Sequence, residues 1–274
     1  MEGSGHAPFE LFAIRYAVHD GRSAGDNFIG ADPHDQGSSL DYFVWLARRG
    51  AETVLVDTGF GPEAASQRKR TLLRRPSEGL ALLGVSAADI RTIVLTHLHY
   101  DHAGGLEEYP SALLHVQERE ASFATGPCMC HANLRAAYDV EDTVRFVRKV
   151  YAEAVVFHRD TSELLPGMTL HRIGGHTAGL QAVRVWTRRG WVVLASDASH
   201  LYANMRRGLP FPIVHNVEDM LEGYRTLRRL ADSPDHIIPG HDPLVMKIYP
   251  APTPDLEGIV VRLDTAPFQK SAGT

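Results

Sequence analysis

Cysteine is nearly absent from this chain. Cys128 and Cys130 are the only two in 274 residues, too few for a disulfide framework. Their Cys-Met-Cys spacing reads as a reduced, partly buried pair, and a reducing cytoplasm is the compartment expected. Long apolar runs are missing too. None approaches the roughly 20 residues that cross a bilayer, so no membrane role is expected. Met1 to Phe9 lacks a basic segment leading into an apolar one, so no signal peptide is expected there. Positive charge is not in excess. A net charge of −5 argues against a nucleic-acid partner, and the clusters Arg68-Lys69-Arg70, Arg74-Arg75 and Arg206-Arg207 read as solvated surface. A Gly-x-Ser-x-Gly elbow is also missing, which leaves no sign of a serine nucleophile.

What is present is enough apolar sequence for a sizeable core, 44% of the chain, in one domain over residues 1–274. No Pro/Gly-rich linker interrupts it. Strand-like runs are expected at Glu10–Val18, Asp41–Ala47, Thr53–Asp57, Thr92–Thr96, Ala112–Val116, Met168–Ile173, Ala182–Trp186 and Trp191–Ser196. Val217, Met220, Leu221, Tyr224 and Leu227 recur at helical spacing, and Asn216 with Asp219 supplies start chemistry, predicting a helix over Val217–Leu230. Ser86 with Asp89 makes a similar start signal. A further helical stretch is expected over Val140–Tyr151, with Phe146 or Val147 turned into the core.

The densest chemistry lies at Thr96–Gly105, which reads THLHYDHAGG. His97, His99, Asp101 and His102 fall within six residues, directly after the β-branched run Thr92-Ile93-Val94-Leu95. Imidazole nitrogens and carboxylate oxygens so closely spaced suit a borderline-soft transition metal, with zinc the default. Three more residues of ligand type follow strand-like runs: His176 in Gly174-Gly175-His176-Thr177, Asp197 after Trp191–Ser196, and His241 after Ile237-Ile238-Pro239. One such residue alone is weak evidence, but the repeated placement of a ligand just past a strand points to a metal site.

These motifs, in this order, resemble the metallo-β-lactamase-fold hydrolases over about Leu11 to Tyr249. The resemblance implies an α/β architecture: an αββα sandwich of two mixed β-sheets with helices on both outer faces and a dinuclear metal centre at one edge. By it, His97, His99 and His176 would hold one ion, Asp101, His102 and His241 the other, and Asp197 would bridge them. Asp57, in Val56-Asp57-Thr58-Gly59, would orient a ligand rather than bind metal. The cofactors implied are two divalent ions, zinc first, with manganese, cobalt or iron able to take the same ligands. Metal-bound hydroxide would then attack the carbonyl of a small-molecule substrate, and Asp101 could handle a proton for the leaving group.

Within the family the chain is most similar in look to the N-acyl homoserine lactonases, which implies opening of a lactone or related cyclic ester and a quorum-quenching role. The same mechanism on an amide, imide or thioester is the alternative, and a non-hydrolytic metal-binding member is a third. Lactonases of that group carry a tyrosine three residues after the bridging aspartate, where it meets the substrate carbonyl. This chain has His200 there and Tyr202 two places on. His200 is therefore expected as the catalytic donor to substrate, with Tyr202 and His19 as substrate contacts. The segments His19–Ser39 and Glu118–Tyr151 are expected to flank the cleft, and a homodimer is plausible by the same resemblance.

Overall fold

The computed structural model describes residues 5–32 and 34–268. Thirteen strands form two sheets: β1 (Glu10–His19), β2 (Leu40–Arg49), β3 (Glu52–Val56), β4 (Thr71–Leu72), β5 (Thr92–Val94), β6 (Leu113–Gln117), β7 (Val155–His158), β8 (Thr161–Leu165), β9 (Met168–Arg172), β10 (Gln181–Thr187), β11 (Gly190–Ser196), β12 (Ile237–Pro239) and β13 (Val260–Arg262). The larger sheet runs β13-β1-β2-β3-β5-β6-β7, with β4 pairing β1, and the smaller runs β12-β11-β10-β9-β8. Both are mixed. β3, β5, β6 and β7 are parallel neighbours, while β1, β2 and β3 pair antiparallel.

Both faces of the larger sheet are covered. Along β1 and β2, Leu11, Ala13, Phe43 and Trp45 join the core shared with the smaller sheet. Phe12, Ile14, Tyr42 and Val44 point into a second core under the outer helices. That is why these strands read as continuous apolar runs rather than alternating ones. The helix Val217–Leu230 covers the outer face of the smaller sheet. Met220, Tyr224 and Leu227 are buried, each such side chain contributing ~1.5–3 kcal/mol. Asn216 caps it by accepting the Asp219 amide. Val217 and Leu221, expected on the buried face, are partly exposed instead. Gly223 is what fits against the sheet, since a Cβ there would meet the Ile173 side chain at 2.6 Å.

The helix Val140–Tyr151 buries Phe146. The Ser86 start signal yields only a single 3-10 turn, Ala87–Asp89, before Ile90 turns extended into the next strand. Cys130 is exposed and Cys128 half-buried, so the expected partly buried pair is open on one side. Among the described residues no helix is long and apolar enough to cross a membrane.

Candidate metal centre

The ligand-type residues gather where strands of both sheets end. After β5 the chain makes a short turn and one helical turn, Tyr100–Ala103, that carries Asp101 and His102 inward, with His99 just ahead of it. His176 lies between β9 and β10, Asp197 directly after β11, and His241 two residues after β12. Two glycines make this convergence possible. Gly175 has φ +90° and its Cβ position would fall 2.6 Å from the Met220 backbone, so the His176 turn docks on the start of the long helix, where Gly175 O accepts the His215 and Asn216 amides. At Gly240 an added Cβ would sit 2.7 Å from Asp197 Oδ1.

His97 Nε2, His99 Nδ1 and His176 Nε2 converge within 2.9–3.2 Å of one another. Neutral imidazoles meeting this way cannot all be satisfied by hydrogen bonds, since each has one donor and one acceptor. An ion with the usual Zn–N length of about 2 Å spaces its ligands at about this separation. Beside them, Asp101 Oδ2 lies 3.5 Å from His102 Nε2 and 3.7 Å from His241 Nε2. Asp197 stands between the two triads. Its Oδ1 is 3.0 Å from His241 Nε2 and 3.4 Å from His102 Nε2, while its Oδ2 is 3.3 Å from His176 Nε2. His102 Nε2 and Asp197 Oδ1 are buried with no hydrogen-bond partner, a shortage that a cation between them would remove. The donor set fits two metal ions, and the geometric groups His97/His99/His176, His97/His102/Asp197 and Asp101/His102/His241 describe where.

The far nitrogens are held by the protein. His102 Nδ1 donates to Asp57 Oδ2 at 2.7 Å, His176 Nδ1 to the Ile213 carbonyl at 2.6 Å, and His241 Nδ1 to the Asp41 carbonyl at 3.0 Å. Each bond leaves Nε2 with its lone pair aimed at the centre. Asp57 adopts φ 62°, and its carboxylate also accepts the Thr96 amide and hydroxyl, which ties the ligand loop to the end of β3. Burial raises the Asp57 carboxyl, with His102 and Thr96 opposing it.

Burial pushes His97 and His99 well below the usual histidine value and lowers His176. It acts the same way on His102 and His241, but Asp197 and Asp101 beside both, with Asp57 beside His102, reverse the result and raise them.

The other expected site residues are placed differently. His200 Nε2 donates to Asp197 Oδ2 at 2.8 Å, its ring stacks on Phe211 at 3.3 Å, and its Nδ1 is buried and unpartnered. In this arrangement His200 lies against the ligand Asp197, and burial lowers it to about 3, which keeps it neutral. Leu201 is extended and a helix begins at Tyr202, whose ring is buried in the core beside Tyr249 with the Arg206 guanidinium over it. His19 ends β1 and sits between Arg22 and Arg70.

The two expected flanking segments both reach this edge. Phe28, within the first, packs with Leu40 and Leu201. In the other, Tyr138 sets its ring 4.4 Å from His99. Sequence reasoning missed Glu120. Fully buried, it accepts the Leu98 and Gly179 amides and the Tyr138 and Thr177 hydroxyls, clamping the loop of His97–His102 to the turn of His176. Its position in an ordinary first helical turn carries no signal for that role.

The metallo-beta-lactamase superfamily profile matches residues 37–241. The chain belongs to this superfamily and is a metal-dependent hydrolase. A probable metallo-hydrolase of Mycobacterium tuberculosis is 29% identical over 250 residues, covering 80% of this chain and 77% of that one. An N-acyl homoserine lactonase of Agrobacterium fabrum is 34% identical over 173 residues, 56% of this chain and 60% of its own. A solved N-acyl homoserine lactone hydrolase, with N-hexanoyl-L-homoserine bound at its catalytic metal centre, superposes with a TM-score of 0.72 at 22% identity, covering 88% of this chain and 96% of that one. It shares the αββα fold.

Proposed function

We propose that this hydrolase holds two zinc ions and opens a lactone or related cyclic ester of small-molecule size. The observation that carries it is the division of Asp197, one oxygen turned to each triad. The lactonase relatives supply the choice of bond. Zinc is favoured by five imidazoles with two carboxylates, a borderline-soft set. Bound there, the ions would lower the pKa of water toward about 7 and polarise the substrate carbonyl. The remaining work falls to the chain. His97, His99 and His176 would hold one ion and Asp101, His102 and His241 the other, with Asp57 and two backbone carbonyls fixing the tautomers of His102, His176 and His241. Asp101 is the most exposed of the seven at 8%. Its carboxyl is held below the usual range by His102 and His241 against the pull of burial, so it is ionised. It is placed to accept a proton from the attacking water and pass it to the leaving oxygen. His200, neutral, keeps Asp197 turned.

Elemental analysis of the metal-loaded protein should give two ions per chain. On a panel of γ- and δ-lactones, amides, imides and thioesters, lactones should have the highest kcat/KM. One ion per chain would overturn the dinuclear reading, and a preference for thioesters or amides would move the substrate class.

A further inference from the structure

Beside the metal edge lies a group of cations without counterions. Arg70 Nε donates to the hydroxyls of Tyr42 and Tyr100, at 2.9 and 3.2 Å. The Tyr42 ring packs edge-on against His241 at 5.0 Å, and Tyr100 directly precedes Asp101. Arg70 is thus one aromatic ring away from a ligand of the mixed triad. Arg68 stacks over Tyr100 at 3.9 Å and spends its guanidinium on the carbonyls of Ala136 and Tyr138. Arg22 reaches in from the segment after β1. Among the described residues no carboxylate lies within ion-pair distance of Arg22, Arg68 or Arg70, although ion pairs are common elsewhere on the molecule. The neighbouring acids, Asp20 and Asp26, form no ion pair with them: Asp20 is exposed, and Asp26, whose charge still acts on Arg22 through space, turns its carboxylate to the Ser23 amide and hydroxyl.

The imidazole of His19 completes the group. Its Nδ1 is 3.2 Å from Arg22 Nη1 and its Nε2 is 3.1 Å from Arg70 Nη1. Burial and the two arginines lower it to about 4, so it is neutral and can accept from only one of them. The other contact sets donor against donor. Arg22 Nε is in addition buried without a partner. Arg22 Nη2 already donates to the Asp26 carbonyl and Arg70 Nη1 to the Arg68 carbonyl, so what stays unmet is an imidazole that cannot serve both guanidiniums and the unpaired Arg22 Nε–H, a shortage that an oxyanion would satisfy.

We infer that Arg22, Arg70 and His19 form a subsite for a carboxylate carried by the substrate, distant from the bond that is cut. The inference deepens the proposed function and rests on it only in taking the substrate to lie at the metal edge. It names the substrate class as an acid whose reactive carbonyl reaches the metal centre while its free carboxylate meets the arginines. An acidic lactone fits, and an uncharged acyl chain does not.

The test is calorimetric binding of succinate, glutarate, adipate and pimelate to the zinc-loaded protein, each against the monoacid of equal length. A diacid can place one carboxylate on the metals and the other on the arginines. The best diacid should bind at least tenfold tighter than its monoacid, and that ratio should fall to about one in Arg22→Met and in Arg70→Met. A ratio near one in the wild type, or one that survives in Arg22→Met, overturns the subsite. If Arg70→Met misfolds because Tyr42 and Tyr100 lose their partner, Arg22→Met decides alone. Binding is read without turnover, so a failure of the lactone panel leaves this result intact.

Discussion

The nitrogen triad His97, His99 and His176 and the mixed triad Asp101, His102 and His241 lie side by side under Asp197, yet the same burial leaves them in opposite states. The first is neutral, its histidines held below their usual value. The second is wrapped in carboxylates, and its histidines are raised. A cation entering the nitrogen half meets preorganised lone pairs and little charge. One entering the mixed half meets negative charge and an oxygen ligand, which suits harder ions better. Two ions of one element should therefore not be held alike, and a mixed-metal enzyme is chemically reasonable.

The most damaging way to break the comparison is to remove what the halves share. Asp197→Ala should leave at most one ion per chain by elemental analysis. Its kcat/KM should fall by more than the ~10–100-fold typical of losing a group hydrogen-bonded to a ligand. The circular dichroism spectrum should be retained, because Asp197 supports no strand pairing. Full metal content with near-normal turnover would refute the bridging role.

A paired experiment sharpens the difference. Asp57→Asn weakens the hold on His102, in the mixed half, while His200→Phe frees Asp197 Oδ2, on the nitrogen side. In competition with a chromophoric chelator, Asp57→Asn should loosen one of the two ions by about 10–100-fold and spare the other. His200→Phe should have the smaller effect. Equal loosening of both ions by Asp57→Asn would mean that the halves are not independent.

The smallest effect is expected just behind the mixed triad, at Asp142, which packs against Gly104. Burial and the neighbouring Asp139 raise its carboxyl to about 7, with Arg145 opposing. The unfolded carboxyl ionises near 3.8, so the folded protein loses stability as pH rises from about 4 to about 7 and no more above that. Asp142→Asn removes the loss. Its Tm relative to wild type should be higher at pH 8 than at pH 5, by a few degrees at the ~2–4 °C per kcal/mol of a chain this size. A variant less stable at pH 8 than the wild type would show that the ion pair with Arg145 outweighs burial.

Much of this molecule was legible where chemistry and periodicity coincide. The run THLHYDH concentrates four ligand-type residues after a β-branched strand, and the distant His176, Asp197 and His241 each follow an apolar run. The strands buried on both faces announced themselves as apolar stretches. By contrast, β7 and β8 sit at sheet edges and are half-exposed: β7 is a run of only four residues, VVFH, and β8 opens on the polar Thr161-Ser162-Glu163. His200 and Tyr202 were read from the position of the lactonase tyrosine, but with Leu201 extended and a helix after it, the His200 ring lies against Asp197 and Phe211 and the Tyr202 ring beside Tyr249. Glu120 and Arg70 act through partners about 20 to 60 residues away in sequence. No local pattern records such meetings, which only the folded chain creates.

Each triad draws two ligands from the loop after β5, in the larger sheet, and one from a loop of the smaller sheet. Neither half of the centre can thus exist in a chain whose sheets have formed but not yet docked. Tight metal capture would therefore follow the docking of the two sheets. Conversely, once loaded, an ion leaves either through the solvent edge or by parting the sandwich. Bound metals would then tie the two sheets together, and only their loss by the second route would report the opening of the sandwich.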